Sequence, residues 1–202
     1  MMDPPRYSLH WDRKTKVLKR LPTHIHMILT ICRDIPIYLM LKHYFVLVSQ
    51  WYELIAKDYK SVTTVRATEY FLASLWCLVC ILLSYLVLDA LMTRWLSMYA
   101  VQATIVRLLS MSLFIVATTE WVNHTFNTSE NGFSLTVWIL VACLLTLVFI
   151  FQSVFDRKVD IKQVVVFAVV PIGVASFVST VCLVRIVVIL RLEVLMEMGK
   201  VT

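Results

Sequence analysis

Cys77-Leu-Val-Cys80 has the spacing of a redox dithiol or of half a zinc site. A zinc site needs two further ligands, and the chain holds neither a second CxxC nor an HxxxH. The pair also sits inside an uncharged apolar run, where thiols behave as small hydrophobes. Packing is therefore the expected role of all five cysteines, with a dithiol switch as the alternative. His24 and His26 lie near Cys32, but residues two apart do not share a helix face and no carboxylate completes the set. No metal is expected there. The thirteen acidic residues are scattered, and only Asp156 and Asp160 approach a pair. With no HxxxxD, DxD, GxSxG or HExxH, the residues offer no catalytic set and call for no cofactor.

Arg107 is the most costly side chain in the sequence. It lies at the centre of the run 95–119, where insertion scales charge an arginine roughly 2.5–3.5 kcal/mol. Helical side chains tilt toward the N-terminus of their own helix, which points Arg107 back toward Asp89 across the short connection "DALMTRW". Two readings follow for this candidate intramembrane polar site. Arg107 holds a lipid phosphate or polar substrate, or it pairs with Asp89 and locks two antiparallel helices; the pair is the expectation. Two sequons, Asn123-His-Thr and Asn127-Thr-Ser, mark a further chemistry, N-glycosylation, if they face a secretory lumen. Asn127 is the better acceptor, because Asn123 lies two residues past Trp121, a membrane-interface type of residue.

The elements that would carry these residues are transmembrane helices. The chain is 60% hydrophobic where soluble domains run near 45–50%, and only 16% of it is charged. A spanning helix takes ~20 apolar residues. Runs at 70–88, 133–155 and 163–184 meet that without charge, the last with Pro171 and Gly173 near its middle. The run 95–119 holds Arg107, and 36–56 opens on Pro36 and holds Lys42 and His43. Residues 21–34 are too short to span and contain Arg33 and Asp34, so they read as an interfacial helix that Pro36 separates from the first span. The expected fold is all-α: a multi-pass membrane bundle of about five helices. A basic cytosolic segment 1–20 leads into a membrane domain at 21–190, and a short tail follows at 191–202. No cleavable signal peptide is expected.

Charge supports the count. With five spans and a cytosolic N-terminus, eleven basic residues fall on the cytosolic side and six on the other. The same arrangement places the loop 120–132, which has no Lys or Arg, in the lumen with both sequons. The net charge of +6 is thus topological, and nucleic acid is not an expected partner; membrane lipids are. Small residues recur at helical spacing at Ala73, Cys77, Cys80 and Ser84, at Ala103, Arg107 and Ser110, and at Gly173, Ser176 and Thr180. Such faces let membrane helices approach closely.

The long stretch beginning "EYFLASLWCLVCILLSYLVLDALMTRW" at Glu69, with "WILVACLLTLVFIFQSVF", "FAVVPIGVASFVSTVCLVR" and the earlier "CRDIP", resembles the fungal endoplasmic-reticulum N-glycosylation protein family. The name of that family denotes an ER-localised and oxidant-sensitive protein, and the resemblance covers roughly residues 30–190. It implies a multi-pass ER membrane protein needed for normal N-glycosylation, with effects on cell-wall building and oxidative-stress tolerance. ER glycosylation enzymes are the implied partners. It carries over no catalytic residue; Arg33, Asp34, Glu69, Asp89, Arg94 and Arg107 match polar landmarks. A non-catalytic accessory or scaffold subunit is the expected function. A transporter or flippase-like protein passing a polar lipid or solute by Arg107 is the alternative, and a lipid-modifying enzyme comes third.

Overall fold

The computed structural model describes residues 23–56, 61–127, 134–155 and 169–198. These form five helices with no strand among the described residues: α1 Thr23–Ala56, α2 Ser61–Met98, α3 Val101–Asn127, α4 Ser134–Phe155 and α5 Val170–Met198. All five are long and apolar enough to cross a membrane. The basic segment 1–20, the basic residues Arg157, Lys158 and Lys162, and the loop residues 128–132 lie outside the described residues.

The five helices surround a centre that one of them supplies. In α2, 61% of the apolar window is buried by the rest of the chain, against 22% for α1 and α3 and 6% for α5. It packs on all four other helices. The reason is its small-residue face: Ala73, Cys77, Cys80 and Ser84 are all fully buried, interleaved with Leu83, Val87 and Leu88. Without a hydrophobic difference between lipid and neighbour, helices associate where side chains are small enough for backbones to come close. The Cys77 thiol donates to the Met40 carbonyl of α1 at 3.5 Å, and the Cys80 thiol to the Trp138 carbonyl of α4 at 3.4 Å. The CxxC therefore works as two contacts to two different helices, and neither thiol is bonded to the other.

The first helix corrects one expectation. Pro36 does not separate an interfacial helix from a span; α1 runs unbroken from Thr23 to Ala56 with Pro36 buried inside it. A proline within a helix leaves the carbonyl four residues earlier without its N–H partner. That carbonyl is Cys32, and it accepts a 2.6 Å hydrogen bond from the Ser112 hydroxyl of α3. Membrane helices keep prolines when a neighbour satisfies the freed backbone group. At the far end of the chain Pro171 lies within α5, and residues 156–168 before it lie outside the described residues. The helix then continues to Met198, so residues 191–198 are helical.

Two of the small faces point outward. In α3 the buried positions are Thr104, Leu108, Ser112, Ile115, Thr119 and Val122, a repeat of threes and fours. Ala103, Arg107 and Ser110 are exposed on the other side. Among the described residues of α5 the buried one is Ala175, and Trp76 of α2 donates to Ser179 at 3.0 Å, while Gly173, Ser176 and Thr180 are exposed. A side chain added at Gly173 would meet open space. The outward faces carry large apolar residues such as Val106, Phe114, Phe151 and Phe177, as a surface in contact with acyl chains would.

The proline–serine link gives a quantitative expectation. Ser112→Ala strands the Cys32 carbonyl and should cost on the order of 1–3 kcal/mol, the penalty for an unsatisfied buried polar group. In a Pro36→Ala background the helix recovers its own N–H, and the same serine change should cost less than half as much. Thermal unfolding of the four proteins in one detergent measures this cycle; equal costs in both backgrounds would show that Ser112 does not serve the proline.

Candidate functional site

Most of the charged residues near the buried surfaces of the bundle meet at the α1–α2 interface. The Arg33 side chain is 17% exposed, and three groups surround its guanidinium. Its Nε donates to Asp34 Oδ1 at 3.0 Å, its Nη1 lies 3.6 Å from Asp89 Oδ1, and its carbon sits 4.7 Å from the centroid of the Tyr85 ring. Tyr85 and Asp89 are one turn apart on α2, so that single helical face presents a ring and a carboxylate to the same cation. Arg33 and Asp34 are adjacent in sequence and cannot share a face in that way. Their contact bends the carboxylate around the helix and leaves Asp34 more exposed than Asp89.

Arg107 is not part of this cluster. The expected Arg107–Asp89 ion pair does not form, because Arg107 stands on the outward face of α3 and Asp89 faces α1. The guanidinium instead reaches back toward the start of its helix and lies 3.9 Å from the centroid of Tyr99. Tyr99 and Ala100 make the whole link between α2 and α3, closed by Tyr99 N–H donating to Trp95 O at 2.8 Å and Thr104 N–H to Ala100 O at 3.1 Å. The direction of tilt is as anticipated, toward the N-terminus of α3. The partner differs because the heptad-like buried face of α3 turns Arg107 away from the interior. A hydrogen bond from Arg107, reinforced by the charges of Arg107 and then Arg94, favours the ionised Tyr99 phenol and lowers its pKa.

A second polar contact was not singled out in the sequence. His43 Nε2 and Glu120 Oε1 are 3.0 Å apart, bridging α1 and α3, and the imidazole leans on Trp138 of α4 with ring centroids 5.8 Å apart. Pro36, Leu39, Met40, Val116 and Thr119 close the space beside the pair. The cavity there has a volume of about 10 Å³, room for at most one water. Glu120 carried a usable signal: it is the first charge after the third apolar run. Its partner could not be read without knowing that α1 and α3 run side by side.

The remaining landmarks separate. Glu69 is half-buried on α2, twenty residues before Asp89, or roughly 30 Å along the helix at 1.5 Å per residue. Arg94 is half-buried near the C-terminal end of α2, on the side of Tyr99. Asn123 and Asn127 both lie within α3, and residues 128–132 lie outside the described residues. No group of three His, Cys, Asp or Glu residues that could hold a metal occurs among the described residues.

Five long apolar helices tied by interhelical polar contacts define a multi-pass helical membrane protein. The chain belongs to the EOS1 N-glycosylation protein family, whose model matches residues 67–155 and 154–186, more than half of its length. It is 50% identical over 93 residues to N-glycosylation protein EOS1 of Saccharomyces cerevisiae, across 46% of this chain and 25% of that one. It is 28% identical over 136 residues to N-glycosylation protein eos1 of Schizosaccharomyces pombe, across 55% of this chain and 63% of that one. The chain thus spans less than two thirds of either relative. No solved structure matches it.

The Arg33 cluster predicts unequal losses. Arg33→Leu leaves Asp34 and Asp89 without their shared cation, and its cost should approach the ~3–5 kcal/mol of a broken buried pair, reduced by the partial exposure of Asp89. Asp89→Leu leaves Arg33 with Asp34 and should cost less. Arg107→Leu should change stability least of the three. Unfolding midpoints in detergent rank the variants; an Arg107 variant as unstable as the Arg33 variant would contradict the outward placement.

Proposed function

We propose that this protein is a non-catalytic accessory subunit of the endoplasmic-reticulum membrane that supports protein N-glycosylation. Membership of the EOS1 N-glycosylation protein family is the observation that carries the reading. The geometry adds to it. Arg33 with Asp89, Ser112 with the Cys32 carbonyl, Trp76 with Ser179 and the two thiols each join one helix to another. Polar groups that fasten helices suit a scaffold, whereas a transport route past Arg107 would need that residue inside the bundle. Effects on the cell wall and on oxidant tolerance then follow from under-glycosylated secretory proteins, with no redox chemistry at Cys77 and Cys80.

In this reading the N-terminus is cytosolic and the C-terminus lumenal, since an odd number of spans separates the two ends. Asn127, at the end of α3, is then the lumenal acceptor of choice. Loss of the protein should leave reporter glycoproteins short of glycans, and full-length tagged protein purified from ER membranes in mild detergent should retain glycosylation enzymes. Tags at the two ends should differ in protease accessibility in sealed microsomes. Normal reporter glycosylation in cells lacking the protein would sink the assignment, and recovery of a defined lipid without any glycosylation enzyme would move it from scaffold to lipid handling.

A further inference from the structure

We propose that the α2–α3 turn binds the phosphate of an anionic lipid headgroup, held by Arg107 and Arg94 beside Tyr99. The inference goes beyond the accessory role and does not depend on it; membrane residence is all it requires.

The first observation is where Arg107 points. It is exposed on a face of α3 shared with Phe114, two turns on, and flanked by Val106, at 61% and 64% exposure. Those are the side chains that acyl tails would cover. A guanidinium on that face can satisfy its donors in only one direction, toward the headgroups, and it turns to Tyr99 accordingly. The second is depth. Ser112 stands level with Cys32, next to the Arg33 cluster, and Arg107 is five residues nearer the turn, about 7–8 Å along the axis. Trp95 and Tyr99 lie around the same turn, as interfacial aromatic residues do.

The third observation is charge balance. The carboxylates of Asp34 and Asp89 face Arg33, and that of Glu120 faces His43. Neither Arg94 nor Arg107 forms an ion pair among the described residues. Two cations thus lie near one ring, and no acid among the described residues pairs with either. The Arg107 guanidinium carbon stands 3.9 Å from the centroid of the Tyr99 ring, and the forked N–H groups of a guanidinium can take two phosphate oxygens at once. The ring hydroxyl can donate a further hydrogen bond. The lowered Tyr99 pKa reports the same positive surroundings, caused first by the hydrogen bond from Arg107. A phosphate seated on Arg107 would compete for that bond and raise the pKa back.

The test uses the full chain in nanodiscs of phosphatidylcholine alone, or of phosphatidylcholine with phosphatidic acid, and counts bound phosphatidic acid by native mass spectrometry. Ultraviolet titration of the Tyr99 phenol, taken as the difference from Tyr99→Phe, gives a second readout. Wild-type protein should retain phosphatidic acid, and Arg107→Gln should weaken retention about fivefold, the weight of one basic side chain at an anionic surface. Arg94→Gln should weaken it too, Arg107→Lys should restore part of it, and His43→Gln should leave it unchanged. Tyr99 should titrate at higher pH with phosphatidic acid present. Inorganic phosphate added to phosphatidylcholine nanodiscs separates the sources. No effect of it supports the lipid; an equal Arg107-dependent shift keeps phosphate recognition but overturns the lipid as its source. Retention equal in wild type, Arg107→Gln and Arg94→Gln, with all three folded by unfolding midpoint, would overturn the site itself.

Discussion

One hydrogen bond lets the first helix exist as a span. Pro36 removes the backbone donor that the Cys32 carbonyl would use, and the Ser112 hydroxyl replaces it from another helix at 2.6 Å. A carbonyl left bare in hydrocarbon costs several kcal/mol, so α1 is continuous only in the company of α3. The neighbouring residue repeats the logic with charge. Arg33 is tolerable at that depth because Tyr85 and Asp89 of α2 face it. In α1, therefore, what disfavours a lone helix is also what binds it to its partners.

The middle of the bundle obeys a different constraint. The fully buried Ala73, Cys77, Cys80 and Ser84 set how near α1 and α4 can come to α2. Thiols suit that place because they are small and still offer a weak donor to a neighbouring carbonyl. The Ser84 hydroxyl is buried without a hydrogen-bond partner among the described residues. It contributes closeness and not a bond.

The number of helices was legible because membrane crossing imposes a length and an absence of charge that few other structures require. Cys77 and Cys80 were legible as packing residues for the same reason: the run around them is apolar on every side. Composition could not say which face of α3 turns inward. Ala103, Arg107 and Ser110 made one plausible face, and Thr104, Leu108, Ser112 and Ile115 made another; the second wins through contacts such as Ser112 to Cys32, eighty residues away. That distance also hid the partner of Asp89. A local rule paired Asp89 with Arg107 across the short α2–α3 connection, whereas antiparallel packing of α1 on α2 delivers Arg33 from the other side. Pro36 was misread for a related reason, since whether a proline ends a helix depends on what stands beside the orphaned carbonyl.

The order of synthesis gives the Cys32–Ser112 bond a further meaning. When α1 leaves the ribosome, neither Asp89 nor Ser112 has emerged, and the hydroxyl that completes the helix lies eighty residues downstream. Through that interval the newborn segment carries a bare carbonyl and a guanidinium with Asp34 as its counter-ion but without Asp89 and Tyr85, both poorly suited to release into lipid. It should linger at the translocation channel, or with an intramembrane chaperone, until α3 emerges. The first three helices would then leave together, and their partition into the bilayer would be one cooperative event instead of three.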